Sequence, residues 1–175
     1  MGIRNNKLAK SLLNLFPLRN TILLESIPDL SDNTKAVFDE MIRRGLNKKY
    51  KFVWIIRGHG NDLPEIENVS YVQYHDRRKD LLRITSRYLI CCNQWIQKVR
   101  KGQTAFYLSH GTPLKSVREI YSMPEGIDYC LAASQDVIPI CEREFNAPRE
   151  KIYGLGFPRN DVLTEKQYDL HPLFP

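Results

Sequence analysis

Short apolar runs alternate with stretches of helical periodicity along most of the chain, and few folds accommodate that alternation. Apolar side chains at helical spacing predict helices over 31–47, 76–88 and 135–146. Runs rich in β-branched and aromatic residues predict strands over 20–27, 50–58, 68–75, 89–93, 103–109, 128–134 and 151–156. This alternation is typical of βαβ units, so we predict an α/β fold: a Rossmann-like parallel sheet with helices on both faces.

The same arrangement predicts where a functional site would lie. Parallel strands end at one edge of the sheet, and the loops after their carboxyl ends build the site. His110, Ser134 and Gly156 each come just after a predicted strand. We therefore expect three loops to meet on one rim.

The length and charge of the chain restrict its class. A chain of 175 residues with 42% hydrophobic content suits one well-buried domain. Its 26 basic and 20 acidic side chains give a net charge of +6, which favours an anionic partner without choosing among nucleic acid, phosphorylated polymer and lipid surface. No nucleic-acid-binding motif accompanies the charge, so we expect no nucleic-acid partner.

Two basic segments are candidates for contact with an anionic membrane surface or polymer. Residues 1–19 place Leu8, Leu12 and Phe16 on one face of a predicted amphipathic segment, beside Lys and Arg. This segment is either packed on the domain or attached to a membrane. The basic helix 76–88 and the run at 97–102 are either a binding face or solvated surface.

The cysteines and glycines indicate no cofactor. Cys91, Cys92, Cys130 and Cys141 lie in apolar runs without zinc-ligand spacing, which is typical of buried reduced thiols in the cytoplasm. The glycine-rich stretch 57–62 does not have the spacing of a dinucleotide fingerprint or of a P-loop. We therefore expect neither a nucleotide cofactor nor a metal at these positions.

The stretch 106–117, FYLSHGTPLKSV, concentrates chemically useful groups after a predicted strand. An imidazole is the side chain most easily used as a general base near neutral pH, so His110 is the candidate catalytic residue. Gly111 would allow close backbone approach and Pro113 would stiffen the loop, while Thr112 and Lys115 could bind phosphate oxygens. The alternative is an ordinary surface turn.

A second cluster, GLGFPRND at 154–161, supplies further candidates. Arg159 could hold a phosphate in a bidentate manner. Asn160 and Asp161 either help to bind the substrate or cap the helix that follows them.

Four ordered motifs give the chain a family resemblance over about residues 20–165. They are LLESIPDLSDNTKAVFDEMI, YKFVWIIRG, SHGTPLK and GFPRNDVL. In that order they resemble the N-terminal half of the CDP-glycerol glycerophosphotransferase family, which makes teichoic-acid-type polymers. The matching positions are Glu25 and Ser26, Ser31 to Asn33, His110 to Lys115, and Pro158 to Asp161.

The resemblance implies a function and a mechanism. It implies transfer of glycerol phosphate from CDP-glycerol, or a related CDP-alditol, to a hydroxyl of a polymer or lipid-linked acceptor, with release of CMP. It also implies a two-domain GT-B architecture whose donor site lies mainly in a C-terminal domain, and a role for His110 as the base on the acceptor hydroxyl. Lys115 is the candidate for stabilising the phosphoryl oxygens.

Three departures from the family pattern qualify that expectation. Ser109 stands where the family commonly has Trp, which would alter the acceptor pocket. Thr34 stands where Pro is usual, a change we expect to be confined to the start of the helix. The family's donor-binding motifs have no counterpart in the sequence, so we expect residues 166–175 to be a truncated linker toward a C-terminal domain and this chain to be half an enzyme, inactive alone.

Two other functions fit the same sequence. One is a non-catalytic Rossmann-like module that binds an anionic polymer or a partner protein. The other is a sugar-nucleotide glycosyltransferase of the same architecture, which the H-G-T-P loop disfavours. We expect a cytoplasmic protein, with peripheral attachment to the inner face of the cell membrane as the alternative.

Overall fold

The structure is a computed structural model that describes residues 16–58 and 63–165. The predicted amphipathic segment lies outside these ranges except for residues 16–19. The predicted linker 166–175 lies entirely outside them. The four motifs that carry the family resemblance fall within the described ranges.

Seven parallel strands form one sheet in the order β3-β2-β1-β4-β5-β6-β7. Their bounds are β1 Arg19–Glu25, β2 Lys51–Ile56, β3 Val69–Gln73, β4 Ser86–Cys91, β5 Thr104–Tyr107, β6 Tyr129–Ala132 and β7 Ile152–Gly154. All seven predicted strands are present, and the order is that of a Rossmann-like sheet. The predicted fold class is confirmed.

Helices cover both faces of the sheet. They are α1 Asp32–Arg43, α2 Arg78–Thr85, α3 Ile138–Phe145 and the short α4 Val162–Glu165. Single 3-10 turns lie at Leu46–Lys48, Gln135–Val137, Arg149–Lys151 and Pro158–Asn160. Phe38 of α1 packs into one core cluster, whereas Ile138 of α3 packs into the cluster on the opposite face. Pro139 is tolerated because it lies in the first turn of α3, where a backbone N–H has no intrahelical partner.

The central strands are buried on both sides, which explains their nearly continuous apolar sequences. Five successive residues of β2, Phe52 to Ile56, are buried. Trp54 and Phe38 are almost completely inaccessible to solvent. The Phe38 ring meets the rings of Phe52 and Trp54 edge-to-face, with centroids 5.6 and 5.5 Å apart, so α1 is fixed on the sheet by aromatic contacts.

The predicted helix 76–88 is too long at its end. Helix α2 stops at Thr85, and β4 begins at Ser86. The side-chain amide of Gln103 donates to the carbonyl oxygens of Arg83 and Ser86, at 2.8 and 2.7 Å, and holds this junction against the start of β5. Sheet pairing therefore overrides the helical pattern of the final residues.

The direction of strand addition reverses between β1 and β4. From β1 the chain builds outward through β2 and β3, and then returns to add β4 on the other side of β1. Open α/β sheets bind their ligands at such a switch point, beside the carboxyl ends of the strands. The connections 92–103 and 108–128, on either side of β5, contain no helix. The second of these connections carries the H-G-T-P loop.

Several basic groups predicted to form a binding face take part in the fold. Lys79 donates to the Tyr74 carbonyl oxygen and lies 3.9 Å from the centroid of the Tyr74 ring. Lys98 forms an ion pair with Asp128, and Arg100 donates to the Phe16 carbonyl oxygen.

In the described part of the chain, no helix has the length and apolar character needed to span a bilayer.

The four cysteines are free and buried, as predicted. Burial raises the pKa of each thiol, and that of Cys130 reaches about 12. Within residues 16–58 and 63–165, no group of three or more His, Cys, Asp or Glu side chains is arranged to hold a metal ion.

Candidate active site at the carboxyl edge of the sheet

His110 lies on the rim of the sheet, three residues beyond the end of β5, and is exposed to solvent. Its Nδ1 atom is 3.2 Å from the carbonyl oxygen of Cys92, the residue that follows β4. A carbonyl oxygen only accepts hydrogen bonds, so Nδ1 must carry the proton in this contact. The Nε2 atom of the neutral ring is then left as an acceptor, as a general base requires.

Ser109 shapes the turn that presents the imidazole. Its backbone has a φ of 55°, a left-handed conformation uncommon for a residue with a side chain. Its hydroxyl is buried and donates to the Gly111 carbonyl oxygen at 2.8 Å, across His110. Ser109, at the position where the resemblance leads us to expect Trp, thus makes a small internal hydrogen bond.

The rest of the H-G-T-P-L-K loop is only partly covered. Gly111, Thr112 and Pro113 are half-buried, and a Cβ at Gly111 would point into open space. Lys115 is exposed, and no described residue forms an ion pair or hydrogen bond with its ammonium group. The ammonium group of Lys115 is therefore open to solvent in the same connection that carries His110.

Glu144 of α3 anchors the segment that follows this loop. Its carboxylate is buried and accepts a hydrogen bond from the Val117 N–H at 2.9 Å. Hydrogen bonds from the Arg143 side chain and, with a smaller effect, from the Val117 N–H lower the pKa of the Glu144 carboxyl. Sequence reasoning missed this residue, because an acidic side chain within an amphipathic helix looks like a surface group.

Asn93 ties the end of β4 to the loop after β1. Its Oδ1 atom accepts from the Ile27 N–H at 2.8 Å and from the Cys92 thiol at 2.9 Å. The side chain of Asn93 therefore links the loop after β1 to Cys92, whose carbonyl contacts His110. Nothing in the local sequence pattern distinguishes Asn93 from an ordinary loop residue.

The polar residues Ser31, Asp32 and Asn33 at the start of α1 contact other parts of the fold. Ser31 occupies the N-cap position, but its hydroxyl makes no cap hydrogen bond and donates instead to the Pro28 carbonyl oxygen at 2.5 Å. Asp32 accepts from the Arg159 guanidinium at 2.7 Å. Asn33 is completely buried and contacts both the H-G-T-P loop and the backbone of Arg159. Ser31 thus makes no cap hydrogen bond through its side chain, whereas Asp32 also accepts from the first-turn N–H of Asn33 at 2.7 Å.

Thr34 also reaches beyond the start of the helix. Its hydroxyl donates to the Glu25 carbonyl oxygen at 3.1 Å, and the residue is completely buried. The expectation that this departure from the family pattern would affect only the helix start is therefore wrong, because Thr34 links α1 to the end of β1.

The second predicted cluster follows β7 on the same edge. Gly154 is required there, because a Cβ would come within 2.5 Å of the Ser134 backbone, and Gly156 has a φ of 90°. The side chain of Arg159 is 40% exposed and forms an ion pair with Asp32. Its guanidinium is therefore reachable by a ligand, although Asp32 already offsets part of its charge.

Asn160 and Asp161 are exposed at the turn between Pro158 and α4. The Asp161 backbone has helical φ and ψ angles of −60° and −30°. An N-cap residue usually has an extended conformation, so this geometry does not favour a capping role for Asp161. Both residues lie on the rim with Arg159, and a role in substrate binding stays a prediction.

A buried ion pair lies on the β2 side of the switch point. Glu25, the last residue of β1, is 5% exposed and pairs with Arg57, which follows β2. Arg57 also donates to Gln94 Oε1 at 3.2 Å and lies 4.4 Å from the centroid of the Tyr74 ring. Sequence reasoning set aside the stretch 57–62 because of its glycine spacing. The charged residue directly after a buried strand was the signal that would have found Arg57.

A sequence model of the family described as CDP-Glycerol:Poly(glycerophosphate) glycerophosphotransferase matches residues 8–171. A teichoic acid glycerol-phosphate transferase of Staphylococcus aureus (strain NCTC 8325 / PS 47) is 24% identical, over 90% of this chain and 46% of that protein.

Solved structures share the fold. A histidine-to-alanine variant of the wall teichoic acid polymerase TagF matches with a TM-score of 0.74 and 21% identity, over 94% of this chain and 46% of that one. A histidine-to-asparagine variant of TagF soaked with CDPG matches over the same shares, with a TM-score of 0.75 and 20% identity. The chain thus spans about half the length of the relatives it matches.

Proposed function

Because the chain belongs to the CDP-glycerol:poly(glycerophosphate) glycerophosphotransferase family, we propose that it forms the acceptor-side half of an enzyme that transfers glycerol phosphate from CDP-glycerol. The acceptor is a hydroxyl of a cell-envelope polymer or of a lipid-linked primer. The observation that carries this proposal is the position of His110, exposed on the rim with its Nδ1 atom against the Cys92 carbonyl.

In the proposed reaction, Nε2 of His110 removes the proton of the acceptor hydroxyl. The acceptor oxygen attacks the phosphorus that bears glycerol, and a new P–O bond forms. The P–O bond to the CMP phosphate breaks, and CMP leaves with that electron pair. Such a base typically contributes about 10²–10⁴-fold to the rate.

Charge develops on the phosphoryl oxygens during this transfer and requires positively charged or N–H donors. Lys115 supplies an ammonium group with no partner among the described residues. Arg159 supplies a partly exposed guanidinium on the same edge. We assign substrate binding to these two residues, with Gly111, Thr112 and Pro113 shaping the loop and Asn160 and Asp161 beside Arg159.

We further propose that residues 20–165 are one of two domains of a GT-B architecture. The donor nucleotide would bind mainly to a second domain, and the cleft between the domains would hold the reacting groups. The four buried, free cysteines fit a cytoplasmic protein. A lipid-linked acceptor would bring this protein to the inner face of the membrane. The 175-residue chain alone should then release no CMP.

The test is a transfer assay with CDP-glycerol and a primed acceptor, using the full-length gene product. His110→Ala should lower turnover by about 10²–10⁴-fold, while binding of CDP-glycerol, measured separately by calorimetry, stays within a factor of a few. His75→Ala is the matched control, since it removes an exposed imidazole beyond β3 at the sheet's outer edge.

Unchanged turnover in His110→Ala would remove this residue from the mechanism. CMP release by the 175-residue chain alone would overturn the two-domain proposal. If the full-length protein has no transferase activity but binds an anionic polymer, the chain is the non-catalytic module that its sequence also allows.

A further inference from the structure

Asn33 joins the two loops that carry the candidate site. It is the second residue of α1 and is completely buried. Its Nδ2 atom donates to the Ser109 carbonyl oxygen at 2.7 Å and to the Leu108 carbonyl oxygen at 3.3 Å. Its Oδ1 atom accepts from the Arg159 N–H at 3.2 Å. Three motifs that lie far apart in the sequence, those containing Asn33, Ser109 and Arg159, thus meet at the side-chain amide of Asn33.

The chemistry of these partners determines which residue can occupy the position. The two carbonyl oxygens only accept hydrogen bonds, and the backbone N–H only donates. A side-chain amide satisfies both needs, and only one orientation of that amide does so. An aspartate would keep the acceptor for Arg159, but it would place a carboxylate oxygen against two carbonyl oxygens. An apolar residue would leave the buried Ser109 carbonyl and two partly buried backbone groups without this partner, which is costly.

The contact with Ser109 bears directly on His110. Ser109 and His110 share the peptide group whose carbonyl oxygen Asn33 holds. Ser109 has a left-handed backbone, which persists only where surrounding contacts favour it. The hydrogen bond from Asn33 is one such contact. It fixes the peptide plane from which the imidazole projects toward the Cys92 carbonyl.

The contact with Arg159 acts at the other loop. The Arg159 N–H lies within the 3-10 turn Pro158–Asn160, and its guanidinium pairs with Asp32, the neighbour of Asn33. Adjacent residues of α1 therefore hold the backbone and the side chain of Arg159. The same amide group sets the position of this backbone and that of the Ser109–His110 peptide.

We propose that Asn33 is a positioning residue that aligns the His110 base with the Arg159 phosphate-binding group. This inference rests on the proposed function, in which these two side chains act on one substrate. Asn33 itself contacts no reacting atom, since it is buried beneath the rim. Its effect on the rate passes through the orientation of His110.

The test uses Asn33→Asp in the full-length gene product, since this change removes both donors and keeps the acceptor. We expect kcat to fall by about 10²-fold, because small misplacements of catalytic groups have effects of that size, while KM for CDP-glycerol changes little. Asn47→Asp is the matched control: it also removes an amide that donates to a backbone carbonyl, that of Glu67, away from the rim.

A double variant separates positioning from loss of stability. If Asn33 acts through His110, then Asn33→Asp should cause no further loss of kcat in the His110→Ala background. An equal loss in both backgrounds, or wild-type kcat in Asn33→Asp alone, would overturn the inference. Failure of the proposed function would be seen separately, as full turnover in His110→Ala.

A measurement on the unmodified chain covers the case in which Asn33→Asp does not fold. The Arg159 amide should be protected from hydrogen exchange, since its acceptor is a buried side-chain oxygen. Exchange of this amide at the rate of an unfolded peptide would also overturn the inference, whatever the variants show.

Discussion

The Nδ1 atom of His110 faces the carbonyl oxygen of Cys92 across 3.2 Å, between the ends of neighbouring strands β5 and β4. This contact joins the proposed base to the scaffold of the switch point, because Cys92 is itself tied through Asn93 to the loop after β1. A backbone carbonyl in this place orients the ring without adding a charge. An acidic partner for His110 is therefore not needed to select the tautomer.

The tautomer of His110 is the first prediction. In the neutral imidazole, the proton should reside on Nδ1 and Nε2 should be unprotonated, because the Cys92 carbonyl only accepts. Nitrogen-15 correlation spectra of the imidazole rings, recorded at a pH where the ring is neutral, report this directly. The same chain unfolded in urea serves as the control. A folded ring protonated on Nε2 would contradict the geometry.

The second prediction concerns acid and the anchor at Glu144. Because the folded-state pKa of this carboxyl is lowered, its stabilising effect is fully present above the ordinary carboxyl pKa of about 4.3 and is lost as the pH falls through the lowered value. The Val117 amide resonance should therefore titrate with a midpoint below the ordinary pKa of a glutamate carboxyl. Glu144→Gln should abolish this titration, and Glu119→Gln, at an exposed position in the same segment, should leave it unchanged.

The third prediction tests the link between α1 and β1. Thr34→Val removes the hydroxyl that donates to the Glu25 carbonyl oxygen, while nearly keeping the shape of the side chain. The free energy of unfolding in urea should fall by about 1–3 kcal/mol, since a buried acceptor loses its partner. Thr34→Ser, which keeps the hydroxyl, should lose less. Equal stability of Thr34→Val and the wild type would show that this hydrogen bond contributes nothing.

The fourth prediction concerns the buried ion pair. Arg57→Ala leaves the Glu25 carboxylate, 5% exposed, without its charged partner, and should lower the free energy of unfolding by about 3–5 kcal/mol. Arg43→Ala is the control, because Arg43 pairs with Glu40 at a side chain 72% exposed, where such a pair contributes about 0–1 kcal/mol. Adding Glu25→Gln to Arg57→Ala should restore part of the stability. No recovery would mean that the loss comes from the contact with Tyr74.

The fifth prediction is that the thiols react slowly. Burial raises the pKa of Cys130 to about 12 and also raises that of Cys91, so both remain protonated at pH 8 and are shielded from reagents. Iodoacetamide should modify the native chain very slowly and all four cysteines after unfolding in guanidinium, as counted by mass spectrometry. Rapid modification of the native chain at any buried cysteine would contradict this burial.

The sequence predicted the sheet well because its strands are buried on both faces. The apolar run that contains Trp54 and Ile55 has no polar face. Such a run is typical of a parallel strand that is covered by helices on both faces of the sheet. The positions of His110 and Arg159 on one edge followed from the strand ends alone. The end of helix α2 was predicted less well, because the pairing of Tyr88 with β1 and β5 is a long-range contact that no local pattern reveals.

The contacts that build the site were not predictable in the same way. Asn33 lies next to a helix start, where a polar residue normally indicates a cap, and its true partners are more than 70 residues away. Glu144 and Cys92 act through a backbone N–H and a backbone carbonyl, which leave no trace in residue types. Side-chain chemistry identified the candidates, whereas the fold supplied their orientation.

The absence of helices from the two connections around β5 has a consequence for how the proposed acceptor preference could change. The His110 loop is held at a few fixed points, and between them it carries no regular structure that an insertion would disrupt. Doubling the length of such a loop costs only about 0.6 kcal/mol in closure entropy. Under the proposed function this loop receives the acceptor alcohol, so mutation can alter that surface while the sheet beneath it stays intact, and acceptor preference can evolve without a new fold.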